Sequence, residues 1–526
     1  MPILNWIGKD KVINHHQQVP FRVLEPQYAY GEPDSGNMIV HGDNLDALKS
    51  LLPKYEGRIK CIYIDPPYNT GNEGWVYNDN VNDPKIRKWL GEVVGREGED
   101  LSRHDKWLCM MYPRLRLLHR LLSEDGAIFI SIDDNEQTNL RLICDEIFGS
   151  SSFITNFIWR KVDSPNDNKV AITPDHEYIV AYAKNKVRAK FVQMDAPDIV
   201  KAYGQSNEDG HRYRDRLLKK NGRNSLRKDR PTMYFPLEAP DGTEVFPIHD
   251  NGEEARWSMS REGIAKCEAV GALIWKQRKR QGINVWEPYT REYAPDQPTR
   301  PFPSIWHTLP TMRQAKKTLR DVFNTTDLFD TPKPSELIEK LLKLFNDRNA
   351  IILDSFAGSG TTAHAVLNMN KADGGNRRFI LVEMEDYAEN ITAERVKRVI
   401  DGYENIEGTG GGFSYYELGE RLLLEDGNLN ENIATDKIRE YIWYTETRAE
   451  YVLQEETHLL GVRSNTAYYF YYEKDSITVL DHDFLHQIKT KAGGYLIYAD
   501  LNTLSAEELE AMNIRFKKIP RDITKL

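Results

Sequence analysis

Two short apolar runs, each ending in a loop of distinctive composition, constrain the fold of this chain more than any other feature. The first run, residues 58–64, leads into Asp-Pro-Pro-Tyr at residues 65–68. The second run, residues 349–354, leads into a loop up to residue 362 that contains two closely spaced glycines. Continuous apolar runs are typical of strands buried in a parallel sheet, and ligands collect at the carboxyl ends of such strands. We therefore predict an α/β fold whose functional site lies at these two strand ends.

The second loop has the composition of a loop that cradles a nucleoside cofactor. Gly358 and Gly360 carry no side chain, so the backbone can approach a ligand closely before a helix that begins near Thr361. A further strand, residues 377–383, follows about twenty residues on and ends in Glu383. An acid at this place can accept hydrogen bonds from both hydroxyls of a ribose. The sequence contains no Gly-x-x-x-x-Gly-Lys-Ser/Thr loop, which argues against ATP hydrolysis.

The Asp-Pro-Pro-Tyr turn has the groups needed to hold an exocyclic amino group. Successive prolines fix φ and lack an N–H, so the turn presents mainly acceptors. The Asp65 carboxylate and the Pro66 carbonyl can bind the two hydrogens of an adenine N6 group, and the Tyr68 ring can stack on a base extruded from the duplex. A rigid turn after a strand is the alternative interpretation of this tetrapeptide taken alone. A nucleotide-dependent dehydrogenase is disfavoured, because its chemistry does not use such a turn.

With the Asp-Pro-Pro-Tyr turn placed before the glycine loop, the chain resembles the β-class DNA adenine-N6 methyltransferases, specifically the modification subunits of type III restriction–modification systems. Residues 329–334, Phe-Asp-Thr-Pro-Lys-Pro, match the family segment that helps to close over the methionine part of the cofactor. The resemblance covers most of residues 1–420. It implies a Rossmann-like, S-adenosylmethionine-dependent methyltransferase fold, circularly permuted so that the catalytic half precedes the cofactor half.

The resemblance also implies roles for individual residues. Asp65 favours adenine as the target base, because relatives that act on cytosine N4 generally have Ser at this position. The implied catalytic residues are Asp65, Pro66 and Tyr68. The implied cofactor-binding residues are Asp43, Thr331, Lys333, Asp354, Phe356, Gly358, Gly360, Thr361 and Glu383. No metal is expected, since the four cysteines are scattered without the spacing of a metal site.

The expected cofactor is S-adenosylmethionine, and the expected substrate is double-stranded DNA, methylated on adenine N6 by base flipping. A separate ATP-dependent restriction subunit is the expected partner. We also predict a homodimer, because one compact domain would otherwise have to recognise a sequence and present a flipped base. Three alternatives stay open: a solitary methyltransferase without a nuclease partner, a non-catalytic DNA-recognition subunit, and methylation of a protein amide. A cytoplasmic location is expected, because no apolar run approaches the ~20 residues of a membrane span.

Residues 186–320 form the predicted target-recognition insert between the two halves. In a chain of net charge −10, residues 211–230 hold nine Lys or Arg and two Asp. Residues 275–280 add a second basic run that begins with a tryptophan. Two basic runs predict phosphate contacts with DNA, whereas a solvated charged face is the alternative for either run alone. The predicted DNA-binding residues are Arg223, Arg227, Lys228, Arg230, Lys276, Arg278, Lys279 and Arg280.

The remaining boundaries follow from the motifs and from a length of 526 residues, which suggests three or four domains. Residues 1–185 are predicted to hold the N-terminal segment and the catalytic half, and residues 321–420 the cofactor-binding half. Residues 421–526 are predicted to be a small C-terminal α/β domain with an interaction role. Within it, residues 467–472 and 476–480 suggest a β-hairpin.

Overall fold

The computed structural model describes residues 4–70, 101–163, 171–280, 282–326 and 328–525. The chain forms two compact units, one of Met1–Val192 with Pro303–Leu526 and one of Gln193–Phe302. Among the described residues, no helix is both long enough and apolar enough to cross a membrane.

The second unit is shorter at both ends than the predicted insert of residues 186–320. Residues 186–192 and 303–320 belong to the first unit, because backbone pairing ties them to it. Val192 N donates to Leu344 O at 2.9 Å, and the strand Ile305–Trp306 pairs with a strand of the main sheet. The compact unit therefore begins and ends inside the boundaries that the sequence predicts.

A ten-stranded mixed sheet forms the centre of the first unit. The six strands that follow one another from Gly412–Arg421 to Leu122–Ile132 across the sheet are parallel. His176–Ala183 runs antiparallel to both of its neighbours. In side-by-side order the strands are Arg22–Gly31, Gly412–Arg421, Met38–His41, Arg378–Glu383, Ile351–Asp354, Ile59–Ile64, Leu122–Ile132, His176–Ala183, Phe153–Arg160 and Ile305–Trp306. This sheet confirms the predicted α/β class.

The strands that carry the two motifs are neighbours in this sheet although they are far apart in the chain. Ile351–Asp354 pairs in parallel with Arg378–Glu383 on one side and with Ile59–Ile64 on the other. Leu353 and Leu381 have no exposed surface, which is why continuous apolar runs mark these strands in the sequence. The Asp-Pro-Pro-Tyr turn and the glycine loop therefore leave the same edge of the sheet side by side. The interpretation of this chain order as a circular permutation stays a prediction.

Two groups of helices pack against the sheet of the first unit. The first group shares a large hydrophobic core with alternate residues of the strands and consists of Asn44–Tyr55, Leu101–Leu121 and Gln137–Phe148. The second group surrounds the glycine loop and consists of Ser335–Lys343, Thr361–Asp373 and Glu394–Asp401. A π-helical turn at Ala388–Ala393 precedes the last of these. The other α-helices before residue 421 in the described part of this unit are Lys9–Val12, His15–Gln18 and Met312–Phe323.

The region from residue 421 onwards belongs to the first compact unit. Tyr441 and Tyr498 lie in the same hydrophobic core as Leu48 and Leu118, so the region packs on the N-terminal part of this unit through buried aromatic rings. It has its own sheet, with strands in the order Leu459–Arg463, Thr466–Phe470, Gly494–Ala499 and Ile514–Lys518. Its helices are Thr435–Thr447, His482–Gln487 and Ala506–Ala511.

The β-hairpin predicted from residues 467–472 and 476–480 is wrong. Thr466–Phe470 instead forms an antiparallel pair with the preceding strand, Leu459–Arg463. The two residues between these strands, Ser464 and Asn465, both have positive φ, as the tightest hairpin turns require. The second half of the predicted hairpin pairs with Leu501–Asn502.

The second unit is built around a four-stranded antiparallel sheet and a small core. Its helix, Arg261–Ala269, begins at Ser260, whose side chain accepts a hydrogen bond from Gly263 N. The core residues are Leu218, Phe235, Trp257 and Ile264. The strands of the sheet are, in order, Leu273–Arg280, Ile283–Tyr293, Arg212–Leu217 and Gln205–Ser206.

Candidate active site

A cavity of about 680 Å³ lies in the first unit where the central parallel strands end. Cavities of this size hold cofactors and small ligands in many proteins. The predicted catalytic and cofactor residues that line it are Asp65, Pro66, Tyr68, Thr331, Lys333, Asp354, Phe356, Gly358, Thr361 and Glu383. Fold topology thus brings residues from three distant segments of the chain to one site.

Hydrogen bonds from outside the cavity hold the Asp-Pro-Pro-Tyr turn in place. Trp107 Nε1 donates to Pro67 O at 2.7 Å. Asn69, just after the turn, has a φ of 59°, a left-handed conformation that asparagine tolerates better than most residues. Its Nδ2 donates to Glu136 Oε1 at 2.5 Å. Because these supports lie behind the turn, the side chains of Asp65 and Tyr68 remain available to the cavity.

Asp65 is the centre of a polar cluster on the cavity wall. Tyr68 OH donates to Asp65 Oδ1 at 2.8 Å, and Lys333 Nζ donates to Asp65 Oδ2 at 2.6 Å. The side chain of Asp65 nevertheless keeps 24% of its surface exposed. A group that enters the cavity can therefore reach this carboxylate.

A second carboxylate, Glu177, shares the donors of Asp65. Tyr68 OH also donates to Glu177 Oε2 at 3.0 Å, and Lys333 Nζ lies 3.5 Å from the same oxygen. On the other side, Lys161 Nζ donates to Glu177 Oε1 at 3.3 Å. Glu177 is only 1% exposed, so its charge depends on these partners rather than on water.

The charges in this cluster shift one another's protonation. Burial disfavours the charged form of Lys333, but the carboxylates of Asp65 and Glu177 outweigh it and hold the pKa of Lys333 above its ordinary value. Burial also raises the pKa of Asp65, while the neighbouring Lys333 limits that rise. Lys333 is therefore a permanent cation beside the Asp-Pro-Pro-Tyr turn. The resemblance assigns it to the cofactor, whereas its observed contacts are with the two carboxylates.

Asp354 shapes the glycine loop from the end of its strand. Its Oδ1 accepts from Phe356 N at 3.0 Å, and its Oδ2 accepts from Thr362 Oγ1 at 2.5 Å. These two bonds fold the loop back over the strand end and fix the start of the following helix. Burial raises the pKa of Asp354 to about 7.

Both glycines of the loop sit where a side chain would be strained. Gly358 and Gly360 have φ values of 51° and 79°, in the left-handed region that glycine adopts without penalty. A Cβ on Gly358 would lie 3.2 Å from the ring of Phe329, and a Cβ on Gly360 would lie 3.1 Å from Thr392 O. Gly358 lines the cavity, whereas Gly360 does not. The cofactor-binding role of Gly360 stays a prediction.

Arg395 supports the glycine loop from the side away from the cavity, and it carries no signal in the sequence. Its Nη1 donates to Ser359 Oγ and to Thr361 Oγ1, both at 2.9 Å. Burial lowers the pKa of Arg395 to about 10, which leaves it charged at neutral pH. A single arginine on a short helix is typical of a solvated surface, so its burial could not be anticipated.

Glu383 accepts hydrogen bonds from three backbone N–H groups. Its Oε2 accepts from Gly358 N at 2.7 Å, and its Oε1 accepts from Met384 N at 2.9 Å and Glu385 N at 3.0 Å. The carboxylate thus ties the glycine loop to the neighbouring strand end and also lines the cavity. Burial raises its pKa to about 7 despite these donors.

Aromatic rings form an apolar part of the cavity wall. Phe329 and Tyr387 meet edge to face, with ring centroids 5.6 Å apart, and both line the cavity next to Gly358. A planar ligand can pack against such rings. Thr331 lies on the same segment as Phe329 and also lines the cavity.

Asp43 caps a helix and does not line the cavity. Its Oδ1 accepts from Leu45 N at 2.8 Å and from Asp46 N at 3.2 Å at the start of Asn44–Tyr55. Its other oxygen lies 3.7 Å from Arg114 Nη2. The predicted contact of Asp43 with a cofactor stays a prediction.

Among the residues of the site that the sequence does not predict are Glu177 and Lys161, which extend the polar cluster around Asp65. Glu177 lies near the start of the antiparallel strand His176–Ala183, and Lys161 follows the strand that pairs with it. Neither residue belongs to a recognisable motif, so only the pairing of these strands places them beside Asp65. Among the described residues, no cluster of three His, Cys, Asp or Glu side chains could hold a metal ion.

The predicted DNA-binding residues of the second unit lie in two kinds of environment. Arg227 donates to both carboxylate oxygens of Glu254, at 3.0 and 2.9 Å. Lys276 pairs with Asp215 at 2.8 Å, and Arg278 Nε lies 3.6 Å from Glu287. Arg227 and Arg278 stay exposed despite these contacts, and the other exposed members of the set, for which the described residues offer no ion pair, are Arg223, Lys228, Arg230 and Lys279. The side chain of Arg280 lies outside the described residues.

The second basic run is divided between the faces of its sheet. Residues 273–280 form a strand that pairs along its length with Ile283–Tyr293. Because side chains alternate along a strand, Lys276 and Arg278 lie on one face and Lys279 on the other. This run therefore does not form a single basic patch.

Comparison with known proteins identifies the class to which this fold and site belong. Residues 59–394 match a family model described as DNA methylase. The match spans more than half of the chain, and the protein belongs to the DNA methylase family.

Curated relatives define the place within this family. The Mod subunits of the type III restriction–modification enzymes StyLTI from Salmonella typhimurium and EcoPI from Escherichia phage P1 are each 33% identical, over 77% and 73% of this chain. The chain spans 61% and 63% of the length of these two relatives. The type II methyltransferase M.KpnI from Klebsiella pneumoniae is 32% identical over 66% of this chain and 81% of its own length. These similarities confirm the resemblance to type III modification subunits.

Two solved structures to which the chain is similar are described as a DNA modification methylase and a DNA methyltransferase. A putative DNA modification methylase of Thermus thermophilus, solved with S-adenosyl-L-methionine, is 16% identical. The similarity covers 73% of this chain and 99% of that one, with a TM-score of 0.34. The cytosine-N4-specific PvuII DNA methyltransferase is 12% identical over 68% of this chain and 86% of that one, with a TM-score of 0.33.

Proposed function

We propose that this protein transfers a methyl group from S-adenosylmethionine to the N6 amino group of adenine in double-stranded DNA, as the modification subunit of a type III restriction–modification system. The observation that carries the proposal is the position of Asp65 and Pro66 on the wall of one cavity with the glycine loop and Glu383. A site for an amino group and a site for a nucleoside thereby adjoin.

The cavity suits S-adenosylmethionine in its charge and in its shape. This cofactor carries a sulfonium and an ammonium group, so a surplus of carboxylates favours its binding. Among the described residues, two lysines, Lys161 and Lys333, supply the cations of the lining. Gly358 leaves open the space in which a Cβ would meet Phe329. The carboxylate residues of the lining are Asp65, Asp133, Glu177, Asp330, Asp354, Glu383 and Glu385.

The residues of the chain would bind and orient both reactants. Bound S-adenosylmethionine supplies an electrophilic methyl group. Glu383 is placed to accept hydrogen bonds from the ribose hydroxyls, while the rings of Phe329 and Tyr387 pack against a planar part of the ligand. Asp65 and the Pro66 carbonyl accept the two N6 hydrogens and so direct the nitrogen lone pair towards the methyl group. The Tyr68 ring stacks on the extruded base.

Adenine is the proposed target base, because Asp65 occupies the position at which the resemblance associates Asp with adenine and Ser with cytosine. Plasmid DNA prepared without adenine methylation, incubated with the protein and S-adenosylmethionine and then digested to nucleosides, tests this directly. We expect N6-methyl-2′-deoxyadenosine in the digest. Detection of N4-methylcytosine instead would contradict the choice of base. Single-molecule sequencing of the same DNA would identify the recognition sequence.

The proposed partners are a second copy of the chain and a separate ATP-dependent restriction subunit. The similarity to the StyLTI and EcoPI Mod subunits supports the second of these. The alternative function is that of a methyltransferase without such a restriction subunit. It is kept because the chain also matches M.KpnI, a type II methyltransferase, over 81% of that protein's length. Purification together with the product of a neighbouring helicase–nuclease gene would favour the role as a type III modification subunit. Light scattering would give the number of copies of the chain.

Those basic residues of the second unit that no carboxylate of the described residues pairs should contribute more to DNA binding than the paired ones. Replacing Arg223, Lys228 and Arg230 with alanine should weaken DNA binding at low salt. It should also reduce the slope of log affinity against log salt by roughly 0.9 for each phosphate that the variant no longer neutralises. Fluorescence anisotropy with a labelled duplex at several salt concentrations measures both effects.

Arg227 offers a matched control, because Glu254 already binds its guanidinium at 2.9 Å. Arg227→Ala should change the salt slope less than Arg223→Ala, Lys228→Ala or Arg230→Ala does. Equal slopes in the parent protein and the triple variant would mean that residues 211–230 form only a solvated surface.

A further inference from the structure

Glu177 is placed as a second acceptor for both donors that bind Asp65. Its Oε2 lies 3.0 Å from Tyr68 OH and 3.5 Å from Lys333 Nζ, while the same two donors bind separate oxygens of Asp65 at 2.8 and 2.6 Å. Each donor therefore bridges the two carboxylates. Lys161 fixes the far side of Glu177 through its Oε1 at 3.3 Å.

A purely structural role accounts poorly for a carboxylate at this place. Burying an ion pair costs desolvation that an apolar side chain of similar volume does not incur. Glu177 is 1% exposed, and its strand neighbours Ile179 and Val180 are apolar and buried. The three partners of Glu177 come from three separate segments of the chain, and all of them line the cavity. The carboxylate is therefore directed at the site and not at the core of the sheet.

In the structure both oxygens of Asp65 are engaged, one by the Tyr68 hydroxyl and one by the Lys333 ammonium. An incoming amino group has to compete with these donors for the lone pairs of Asp65. A buried hydroxyl or ammonium that lost its acceptor would be left unsatisfied, which is strongly unfavourable. Glu177 removes this penalty, because its Oε2 already lies 3.0 Å from the Tyr68 hydroxyl and 3.5 Å from the Lys333 ammonium. Each donor can therefore bond to Glu177 while its side chain stays in place.

We propose that Glu177 is a positioning residue for methyl transfer, which takes over the Tyr68 hydroxyl and the Lys333 ammonium when the target amino group binds Asp65. This inference rests on the proposed function. Glu177 does not touch the reacting atoms in this scheme. It holds Tyr68 in the orientation needed for stacking and keeps the charge of Lys333 compensated while Asp65 is occupied.

Glu177 also sets the electrostatic balance of the site. A negative charge raises the pKa of nearby carboxyl and ammonium groups, so its removal lowers both. The pKa of Asp65 and that of Lys333 should therefore fall together when Glu177 is neutralised. The titratable groups that face Glu177 from the surrounding elements are Tyr63, Asp65, Tyr68, Lys161 and Lys333.

The pH dependence of methyl transfer by Glu177→Gln tests the inference. With tritiated S-adenosylmethionine and plasmid DNA free of adenine methylation, kcat should fall by about tenfold or more. KM for the cofactor should change much less than kcat, because the glycine loop is untouched and the other carboxylates of the lining remain. The acidic limb of the kcat profile, along which Asp65 loses its proton, should move to lower pH. A change that only loosened the structure would reduce the amplitude without moving the profile.

Lys161→Gln should shift the pH profile in the opposite direction. It removes a positive charge from beside Glu177, so the profile should move to higher pH. This variant tests the inference by itself if Glu177→Gln fails to fold. Asp175→Asn is the matched control, since Asp175 is exposed and lies two positions before Glu177. It should behave like the parent protein. An unmoved profile in both site variants, with an active parent, overturns the inference alone. A parent protein that methylates no DNA overturns the proposed function and this inference with it.

Discussion

Replacing Asp65 with alanine is expected to lower methyl transfer to DNA by about 100-fold or more, the usual scale for losing a hydrogen bond made in the transition state. The protein should still fold, because Glu177 Oε2 lies 3.5 Å from Lys333 Nζ and remains its partner. Cofactor binding should be retained, since the glycine loop is formed by hydrogen bonds that do not involve Asp65. Tritium transfer to plasmid DNA measures the rate, and calorimetry measures cofactor binding.

Two pairs of variants separate the roles within the turn. Asp65→Asn keeps one acceptor oxygen and should retain more activity than Asp65→Ala. Tyr68→Phe keeps the ring but loses the hydroxyl, so it should retain more activity than Tyr68→Ala, which also loses stacking on the base. Near-normal turnover by Asp65→Ala, with melting and cofactor affinity unchanged, would reduce Asp-Pro-Pro-Tyr to a rigid turn after a strand.

The parts of the site that the sequence predicts are those in which a local motif ends a buried strand. Ile59–Ile64, Ile351–Asp354 and Arg378–Glu383 are continuous apolar runs, and each is followed at once by its functional residues. Because these strands are parallel neighbours, their ends meet without any further information. This is why residues as far apart in the chain as Asp65 and Glu383 could be assigned to one cavity.

Glu177 and Lys161 could not be predicted, because their place depends on the pairing of antiparallel strands at the far side of the sheet. His176–Ala183 runs against both Leu122–Ile132 and Phe153–Arg160, and this pairing brings its first residues to the cavity. A lone acid at a strand start is more often solvated than buried. The residue type alone therefore does not show whether such an acid is buried, and only the packing of the folded chain does.

The charged residues of the second unit also could not be placed from the sequence, because their ion-pair partners are distant in the chain. The sequence reveals the excess of Lys and Arg, but not that Glu254 binds Arg227 or that Asp215 binds Lys276. Each acid lies tens of residues from its partner and meets it through the fold. For Asp43, the predicted cofactor contact competes with a local role, because a short acid before a helix can accept hydrogen bonds from the first backbone N–H groups. In the structure Asp43 accepts from Leu45 N and Asp46 N.

Replacing Glu383 with glutamine is expected to weaken S-adenosylmethionine binding by about tenfold or more, the scale of a lost charged hydrogen bond. The carboxylate of Glu383 binds Gly358 N on one oxygen and two further N–H groups on the other. An amide has one acceptor oxygen, so the variant loses the tie to the glycine loop or the ties to its own strand end. Calorimetry at pH 8 measures the loss. Glu389→Gln, which removes a carboxylate bound to Tyr28 outside the cavity, should leave the affinity unchanged.

The pH dependence distinguishes this role of Glu383 from a general loosening of the loop. The pKa of Glu383 is raised by burial to about 7, so the carboxylate that accepts from a ribose is present above pH 7 and is lost as the pH falls through that value. Cofactor affinity of the parent protein should therefore decline below pH 7. Stability of the cofactor-free protein should change in the opposite direction, because a raised carboxyl pKa disfavours the folded state as the pH rises from 4.5 towards 7. The difference between parent and Glu383→Gln isolates this residue from Asp354, whose pKa is also about 7. A parent affinity that is flat from pH 6 to 8 would contradict a ribose contact through the Glu383 carboxylate.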